Sequence, residues 1–142
     1  MPSESVLTAA KTLLDADQSV DWNLYEDDNL LVNLRSDPSQ WFRLDVGSDA
    51  FPLDLGLRYS IPEYEYEEVD QPRAVAKQID RGLAYLHGRG DEVTKKRGKT
   101  EISWTLTFPD GTVVKAWRTP LQRLRHRLTG SSRLVQTAQV RD

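Results

Sequence analysis

Cysteine is absent from the 142 residues of this chain, and long apolar runs are absent as well. Without cysteine the chain can form no disulfide, thiolate nucleophile or cysteine metal site, which fits a reducing compartment. Runs of large aliphatic residues do not exceed three, as at Leu30, Leu31 and Val32, whereas a membrane helix needs about 20 apolar residues and a signal-peptide core about 7–15. We therefore expect a soluble, cytoplasmic protein that does not associate with membranes.

Residues that commonly carry catalysis are scarce. No serine lies in a G-x-S-x-G elbow, no glycine-rich phosphate loop occurs, and the chain has two histidines, His87 and His126. A zinc site built on these two would need carboxylates from unrelated segments. We predict no catalytic residue, no cofactor and no metal ion. An enzyme whose site is assembled from scattered carboxylates and arginines remains an alternative, because a single sequence cannot show such a site.

Charge is divided unevenly between the two halves of the chain. The formal net charge is −3, but residues 1–70 carry 16 acidic and 4 basic side chains, whereas residues 71–142 carry 6 acidic and 15 basic ones. Such asymmetry indicates a charged partner. The alternative is that the two halves neutralise each other where they meet in one compact domain.

Hydrophobic periodicity predicts an α+β fold. Apolar residues recur every three to four positions in three segments and alternate with polar residues in the others. The predicted order is a helix over 3–14, an antiparallel meander of strands near 22–24, 30–34, 42–46 and 53–59 with a fifth strand at 63–69, a helix over 72–86, a polar loop over 88–98, a β-hairpin over 102–118, and a helix over 119–130. We expect one domain over 1–130 and a flexible C-terminal tail over 131–142. In the order of its elements, though in no residue motif, this arrangement resembles the type III secretion chaperones.

Two of these elements have clear inward-facing rows. The helix near Pro72 is expected to bury Val75, Ile79, Leu83 and Leu86, to present Arg73, Lys77 and Arg81 on its opposite face, and to end at Gly88. The hairpin is expected to bury Ile102, Trp104, Leu106 and Phe108 and to turn at Asp110 and Gly111.

Six oxygen-bearing residues follow the first helix at the spacing of an EF-hand calcium loop: Asp15, Asp17, Ser19, Asp21, Asn23 and Glu26. Position six of such a loop needs glycine for a sharp turn, but Val20 occupies it, and a β-branched side chain resists positive φ. Residues 22–34 also predict strand, turn and strand where an EF-hand needs a second helix. We therefore predict an acidic helix end followed by an edge strand.

Five acidic residues and two tyrosines fall within residues 63–70, which we name the acidic tyrosine segment: Glu63, Tyr64, Glu65, Tyr66, Glu67, Glu68 and Asp70. If extended, the segment places its alternate carboxylates about 6.5–7 Å apart on one side and its tyrosines on the other. One interpretation is a docking strip, in which tyrosines contact a partner and carboxylates attract a basic protein or imitate a phosphate backbone. The other is a strand with core-facing tyrosines and a solvated charged side.

Basic residues offer a different interpretation. They cluster in the polar loop and on predicted helix faces, at Lys95, Lys96, Arg97, Lys99, Arg73, Lys77, Arg81, Arg123, Arg127 and Arg133. A coherent patch of these would bind nucleic acid by counterion release, but no aromatic residues interleave the run at 95–99, and the calculated pI is 5.4.

The sequence therefore favours a non-catalytic protein-binding module that uses the acidic tyrosine segment. Its partner would be another protein, with a basic one as an option. A small bacterial immunity-type inhibitor or a secretion-chaperone-like adaptor would fit. A nucleic-acid-associated module that uses the basic helix faces is the alternative binding class.

Overall fold

The computed structural model describes residues 2–117 and has an α+β architecture. Its two helices are α1 (Glu4–Asp15) and α2 (Gln71–Leu86). Its eight strands are β1 (Val20–Tyr25), β2 (Asn29–Leu34), β3 (Trp41–Asp45), β4 (Leu53–Leu55), β5 (Tyr59–Ile61), β6 (Asp91–Arg97), β7 (Thr100–Thr107) and β8 (Val113–Trp117). The predicted C-terminal helix over 119–130 and tail over 131–142 lie outside the described residues.

Helix α1 begins where its sequence predicts. The hydroxyl of Ser3 accepts a hydrogen bond from the backbone N–H of Val6 at 3.3 Å, which satisfies one of the free donors of the first turn. Val6, Ala10 and Leu14 are buried because their spacing places them on one face of the helix.

Strands β1 to β5 form one antiparallel sheet in sequence order, which confirms the predicted meander. One predicted strand is wrong in its length: residues 53–59 divide into β4 and β5. Gly56 lies at the break with φ of +59°, a conformation that glycine adopts without a steric penalty and that reverses the chain. The expected strand over residues 63–69 is also not a strand, since its pairing is limited to an isolated bridge between Ala50 and Tyr64.

Helix α2 packs against α1 and over β3 and β4. Its predicted apolar row is buried, and Gly88 follows its end with φ of +65°, the left-handed conformation usual after a helix. The approach to β3 is close at Gly82, where a Cβ atom would lie 2.6 Å from the ring of the fully buried Phe42. Any side chain at residue 82 would therefore push the helix off the sheet.

Strands β6, β7 and β8 form a second antiparallel sheet, with β7 in the centre. The predicted hairpin is confirmed, including its buried row and its turn, where Gly111 has φ of +89°. The predicted polar loop over 88–98 is wrong for most of its length, because residues 91–97 form β6. Six of the seven residues of β6 are exposed. The strand therefore has no buried apolar face and is held by backbone pairing to β7.

The buried side chains of α1, α2 and both sheets form one continuous hydrophobic cluster. Strand β8 lies beside β5, which joins the two sheets at this core. Neither of the described helices is long and apolar enough to cross a membrane.

Candidate functional site

Backbone hydrogen bonds hold the first half of the acidic tyrosine segment in an extended conformation. The N–H of Phe51 donates to the carbonyl of Glu63 at 2.7 Å, and the N–H of Glu65 donates to the carbonyl of Asp49 at 2.9 Å. The side-chain amide of Gln71, in the first turn of α2, donates to the Glu65 carbonyl and to the Asp49 carboxylate, both at 2.9 Å. The segment is thus fixed to the β3–β4 connection and to α2.

The tyrosines of this segment point to solvent. Tyr64 is 62% exposed, Tyr66 is 73% exposed and Val69 is 85% exposed. The interpretation with core-facing tyrosines and solvated carboxylates is therefore wrong, since Glu63 and Glu65 on the alternate positions are the partly buried residues. A fixed backbone that leaves two tyrosines and a valine in water is the feature that distinguishes this surface.

The inward orientation of Glu63 follows from a buried cation on α2. Arg81 is 8% exposed, and its Nη1 lies 3.3 Å from Oε2 of Glu63, while Nζ of Lys77 lies 3.3 Å from Oε1. A buried guanidinium requires an anionic partner. Glu63 is therefore committed to the fold and is not free to attract a partner.

The remaining acids of the segment differ in position. Glu65 accepts a hydrogen bond from the N–H of Glu67 at 3.3 Å, whereas the side chains of Glu67 and Glu68 are exposed. Residues Glu68–Asp70 form a 3-10 turn that leads into α2, and Asp70 is the N-cap residue although its side chain makes no capping hydrogen bond. Negative charge at this helix start is favourable, so Asp70 has a structural role as well.

Within residues 2–117, the predicted basic face of α2 is confirmed for two of its three residues. Arg73 and Lys77 are exposed on α2, but Arg81 is buried, which corrects its predicted position on the solvent side. Besides Glu63, the Arg81 guanidinium contacts Oδ2 of Asp110 at 3.3 Å. Lys95 to Arg97 lie on β6 and not in a loop. Arg123, Arg127 and Arg133 lie outside the described residues.

Three of the six EF-hand positions, Asp15, Asp17 and Asp21, each bond to a residue outside the set. Strand β1 begins at Val20 and lies at the sheet edge, as predicted. Asp15 accepts a hydrogen bond from the indole N–H of Trp22 at 2.9 Å, Asp21 pairs with Arg35 at 2.8 Å, and Asp17 pairs with His87 at 2.7 Å. Among residues 2–117, no group of three or more histidine and acidic side chains has the arrangement of a metal site.

One cluster contains the residue types of a catalytic triad: Ser19, His87 and Asp17. In a triad the serine and the carboxylate bind opposite ring nitrogens of the histidine. Here both contact Nε2 of His87, at 3.3 Å for Ser19 Oγ and 2.7 Å for Asp17 Oδ2, and the Ser19 hydroxyl donates to Asp17. The serine proton is thus held by the carboxylate and not presented to a base.

An open cavity of about 530 Å³ lies between β3, the β4–β5 turn, α2 and β6. Arg58 lines this cavity, and its guanidinium lies 3.9 Å from the ring centre of Trp104. Its Nη1 lies 3.6 Å from Oε2 of Glu92, and the same oxygen accepts a hydrogen bond from the hydroxyl of Tyr59. Burial raises the pKa of Tyr59 and of Tyr85, and the bond to Glu92 raises that of Tyr59 further. Both shifts favour the protonated, uncharged phenol.

Sequence reasoning missed the buried polar residues of α2. Gln78 is fully buried, and its side-chain NH₂ group donates to the backbone carbonyls of Phe51 and Ile61 at 2.8 and 3.0 Å. Its side-chain oxygen, Oε1, accepts a hydrogen bond from Arg81 at 2.9 Å. The signal was present in the spacing, since Gln71, Gln78 and Arg81 lie at i, i+7 and i+10 on one face of the helix.

Comparisons with protein-family models, with curated proteins and with solved structures each found no match.

Proposed function

We propose that this chain is a non-catalytic protein-binding module whose docking surface is the acidic tyrosine segment, centred on Tyr64, Tyr66 and Val69. The observation that carries the proposal is the exposure of these three side chains in a segment whose first half is held by backbone hydrogen bonds at Glu63 and Glu65. Tyrosine is enriched at protein interfaces because it buries a large apolar ring while its hydroxyl keeps a hydrogen bond.

A fixed segment has an energetic advantage in binding. Association loses free energy when loops and side chains must be ordered at the interface. In this segment the hydrogen bonds of Glu63, Glu65 and Gln71 have already ordered the backbone on both sides of Tyr64, and each tyrosine has only two side-chain torsions to restrict. The two rings are therefore suited to act as anchors in pockets of a partner.

The charge around the tyrosines favours a basic partner. Glu67 and Glu68 are exposed beside them, whereas the carboxylate of Glu63 is occupied by Lys77 and Arg81. Exposed acids at the rim of an interface act mainly on the association rate, which makes the rate sensitive to salt. A bacterial immunity-type inhibitor or a secretion-chaperone-like adaptor that acts in the cytoplasm would use such a surface.

Photo-crosslinking with a matched control position tests this proposal. A photoreactive phenylalanine analogue replaces Tyr66 in one variant and Leu57, an exposed residue of the β4–β5 turn, in the other. In cells of the native source we expect one protein to be crosslinked from residue 66 and not from residue 57. Equal labelling from both positions, or capture of nucleic acid alone, contradicts the proposal.

Once that partner is purified, variants separate the roles of the residues. Replacing Tyr64 and Tyr66 together by alanine should raise the dissociation constant at least about tenfold, mainly through faster dissociation. Glu68→Lys should slow association and reduce its salt dependence. The control is Val113→Ala, which removes an exposed apolar side chain from β8 and should leave binding unchanged. Binding unaffected by the double tyrosine variant contradicts the proposal.

A further inference from the structure

Strand β6 is an open edge of the second sheet. It pairs with β7 on one side, and within the described part of the chain no strand pairs with its other side. All of its residues except Thr94 are exposed, and Val93 is 66% exposed. An open edge presents a row of unpaired backbone N–H and C=O groups that can pair with another strand.

The charges of β6 are arranged symmetrically about its central residue. Asp91 and Glu92 lie at the beginning of the strand, Lys96 and Arg97 lie at its end, and Thr94 is in the middle. When a second copy of the strand runs antiparallel with Thr94 opposite Thr94, Asp91 lies opposite Arg97 and Glu92 lies opposite Lys96. The two-fold symmetry repeats both contacts, so this register makes four cross-strand pairs of opposite charge.

Other registers lack this complementarity. Opposed residues of an antiparallel pair must lie on the same face of the sheet, so the register can change only in steps of two. One such step places Lys95 opposite Lys95 and leaves no pair of opposite charges within β6. A step in the other direction keeps two such pairs, Asp91 opposite Lys95, and places Arg97 opposite Arg89, which precedes the strand. A parallel, in-register pair would oppose every charge to itself. Directly opposed like charges destabilise a sheet.

We propose that β6 is the interface of a two-fold symmetric homodimer, in which β6 strands of two copies pair antiparallel about Thr94. The two three-stranded sheets then form one continuous sheet of six strands. Two-fold dimers of this kind use the same surface on both subunits. The register of β6 against β7 shifts between Lys95 and Lys96, where Ile102 of β7 is skipped, so the extra residue belongs to β7 and β6 itself has no inserted residue. Glu92 retains its contacts to Tyr59 and Arg58 and has a second carboxylate oxygen for Lys96 of the other copy.

Sedimentation equilibrium of the full chain tests the association directly. Between micromolar and millimolar concentration we expect the mass to rise from the 16.2 kDa of one chain to twice that value. Because ion pairs contribute to the interface, high salt should weaken the association. A chain that stays monomeric over the whole range, or that grows beyond two copies, overturns the proposal.

Charge reversal tests the register. Asp91→Arg alone and Arg97→Asp alone should each raise the dissociation constant about tenfold, because each turns two symmetry-related attractions into repulsions. The double variant restores opposite charges across the interface and should return the constant to that of the original chain. The controls are Glu68→Arg and Lys115→Asp, which reverse exposed charges outside β6 and should have no effect. A double variant as weak as the single ones overturns the antiparallel register.

Hydrogen exchange locates the interface independently of any substitution. Alternate backbone amides of β6 should become protected as the concentration rises, while those of β8 should not change. Protection of β6 at every concentration would show that another part of the same chain covers the edge, and this result also overturns the proposal. The dimer does not depend on the proposed docking surface, so the variant without Tyr64 and Tyr66 should associate like the original chain.

Discussion

Trp104 illustrates how one aromatic side chain connects the two sheets of this protein. It is 6% exposed, its indole N–H donates to Glu101 at 3.2 Å, and the Arg58 guanidinium lies 3.9 Å from its ring centre. The ring thus combines burial, a satisfied donor and a cation–π contact with the turn between β4 and β5.

Trp104→Ala should lower the free energy of unfolding by about 3–5 kcal/mol, because it leaves a cavity in the core and removes the surface on which Arg58 rests. Urea denaturation measures the effect. Val113→Ala on the same hairpin is the control, since Val113 is exposed and a surface truncation should change stability by less than about 0.5 kcal/mol. A similar, small effect of both substitutions would contradict the burial of Trp104.

At the scale of elements, α2 is joined to the rest of the fold by polar contacts as well as by its apolar row. The Arg81 guanidinium bonds to Glu63 after β5, and to Asp110 and Thr112 in the β7–β8 turn, at 3.0–3.3 Å. One side chain therefore connects the helix to both sheets. Its removal would leave the partly buried Glu63 with Lys77 as its one remaining ion-pair partner within residues 2–117.

Arg81→Met should destabilise the fold by about 3 kcal/mol, since it breaks a buried ion-pair network and removes the donor to the side-chain oxygen of the fully buried Gln78. Arg81→Lys should recover only part of the loss, because an ammonium group cannot reach several acceptors in the fork geometry of a guanidinium. Arg73→Met on the exposed side of the same helix is the matched control and should change stability by less than about 0.5 kcal/mol. Equal unfolding midpoints for the two methionine variants would contradict this role of Arg81.

On the scale of the whole molecule, the acidic and basic halves of the chain neutralise each other in part. Glu63 of the first half pairs with Lys77 and Arg81 of the second. These contacts agree with the alternative that the charge asymmetry is internal to the fold. Exposed charges at Glu67 and Glu68 and along β6 are among those available to a partner or a second copy.

The pKa values of two carboxyl groups, those of Asp17 and Asp110, predict how the stability of the fold depends on pH. Burial alone would raise the pKa of both carboxyl groups. The pKa of Asp17 is nevertheless lowered, because Ser19 donates hydrogen bonds to it and His87 contacts it. The pKa of Asp110 is lowered by hydrogen bonds from Thr112 and by the charge of Arg81. Both pKa values are therefore lower in the folded chain than in the unfolded one. The unfolded chain binds these protons first as the pH falls.

We therefore expect the stabilisation from both groups to be complete above the unfolded pKa of about 4 and to be lost as the pH falls through the lower, folded values. Urea denaturation from neutral pH to about pH 3 should show this decline. Asp17→Asn and Asp110→Asn should each reduce stability at neutral pH and flatten the decline. A variant with the same slope as the original chain would show that its carboxylate does not contribute.

The sequence by itself determined the elements that have a strong apolar period: α1, the first three strands of the meander, α2 and the hairpin of β7 and β8. It also drew attention to the acidic tyrosine segment. It could not predict β6, because a strand whose residues are nearly all exposed has no alternation of apolar residues and exists through its hydrogen bonds to β7. Nor could it decide which side of the segment faces water. That orientation depends on Glu63 meeting Arg81, 18 residues away, and only the tertiary structure brings a buried cation to that position.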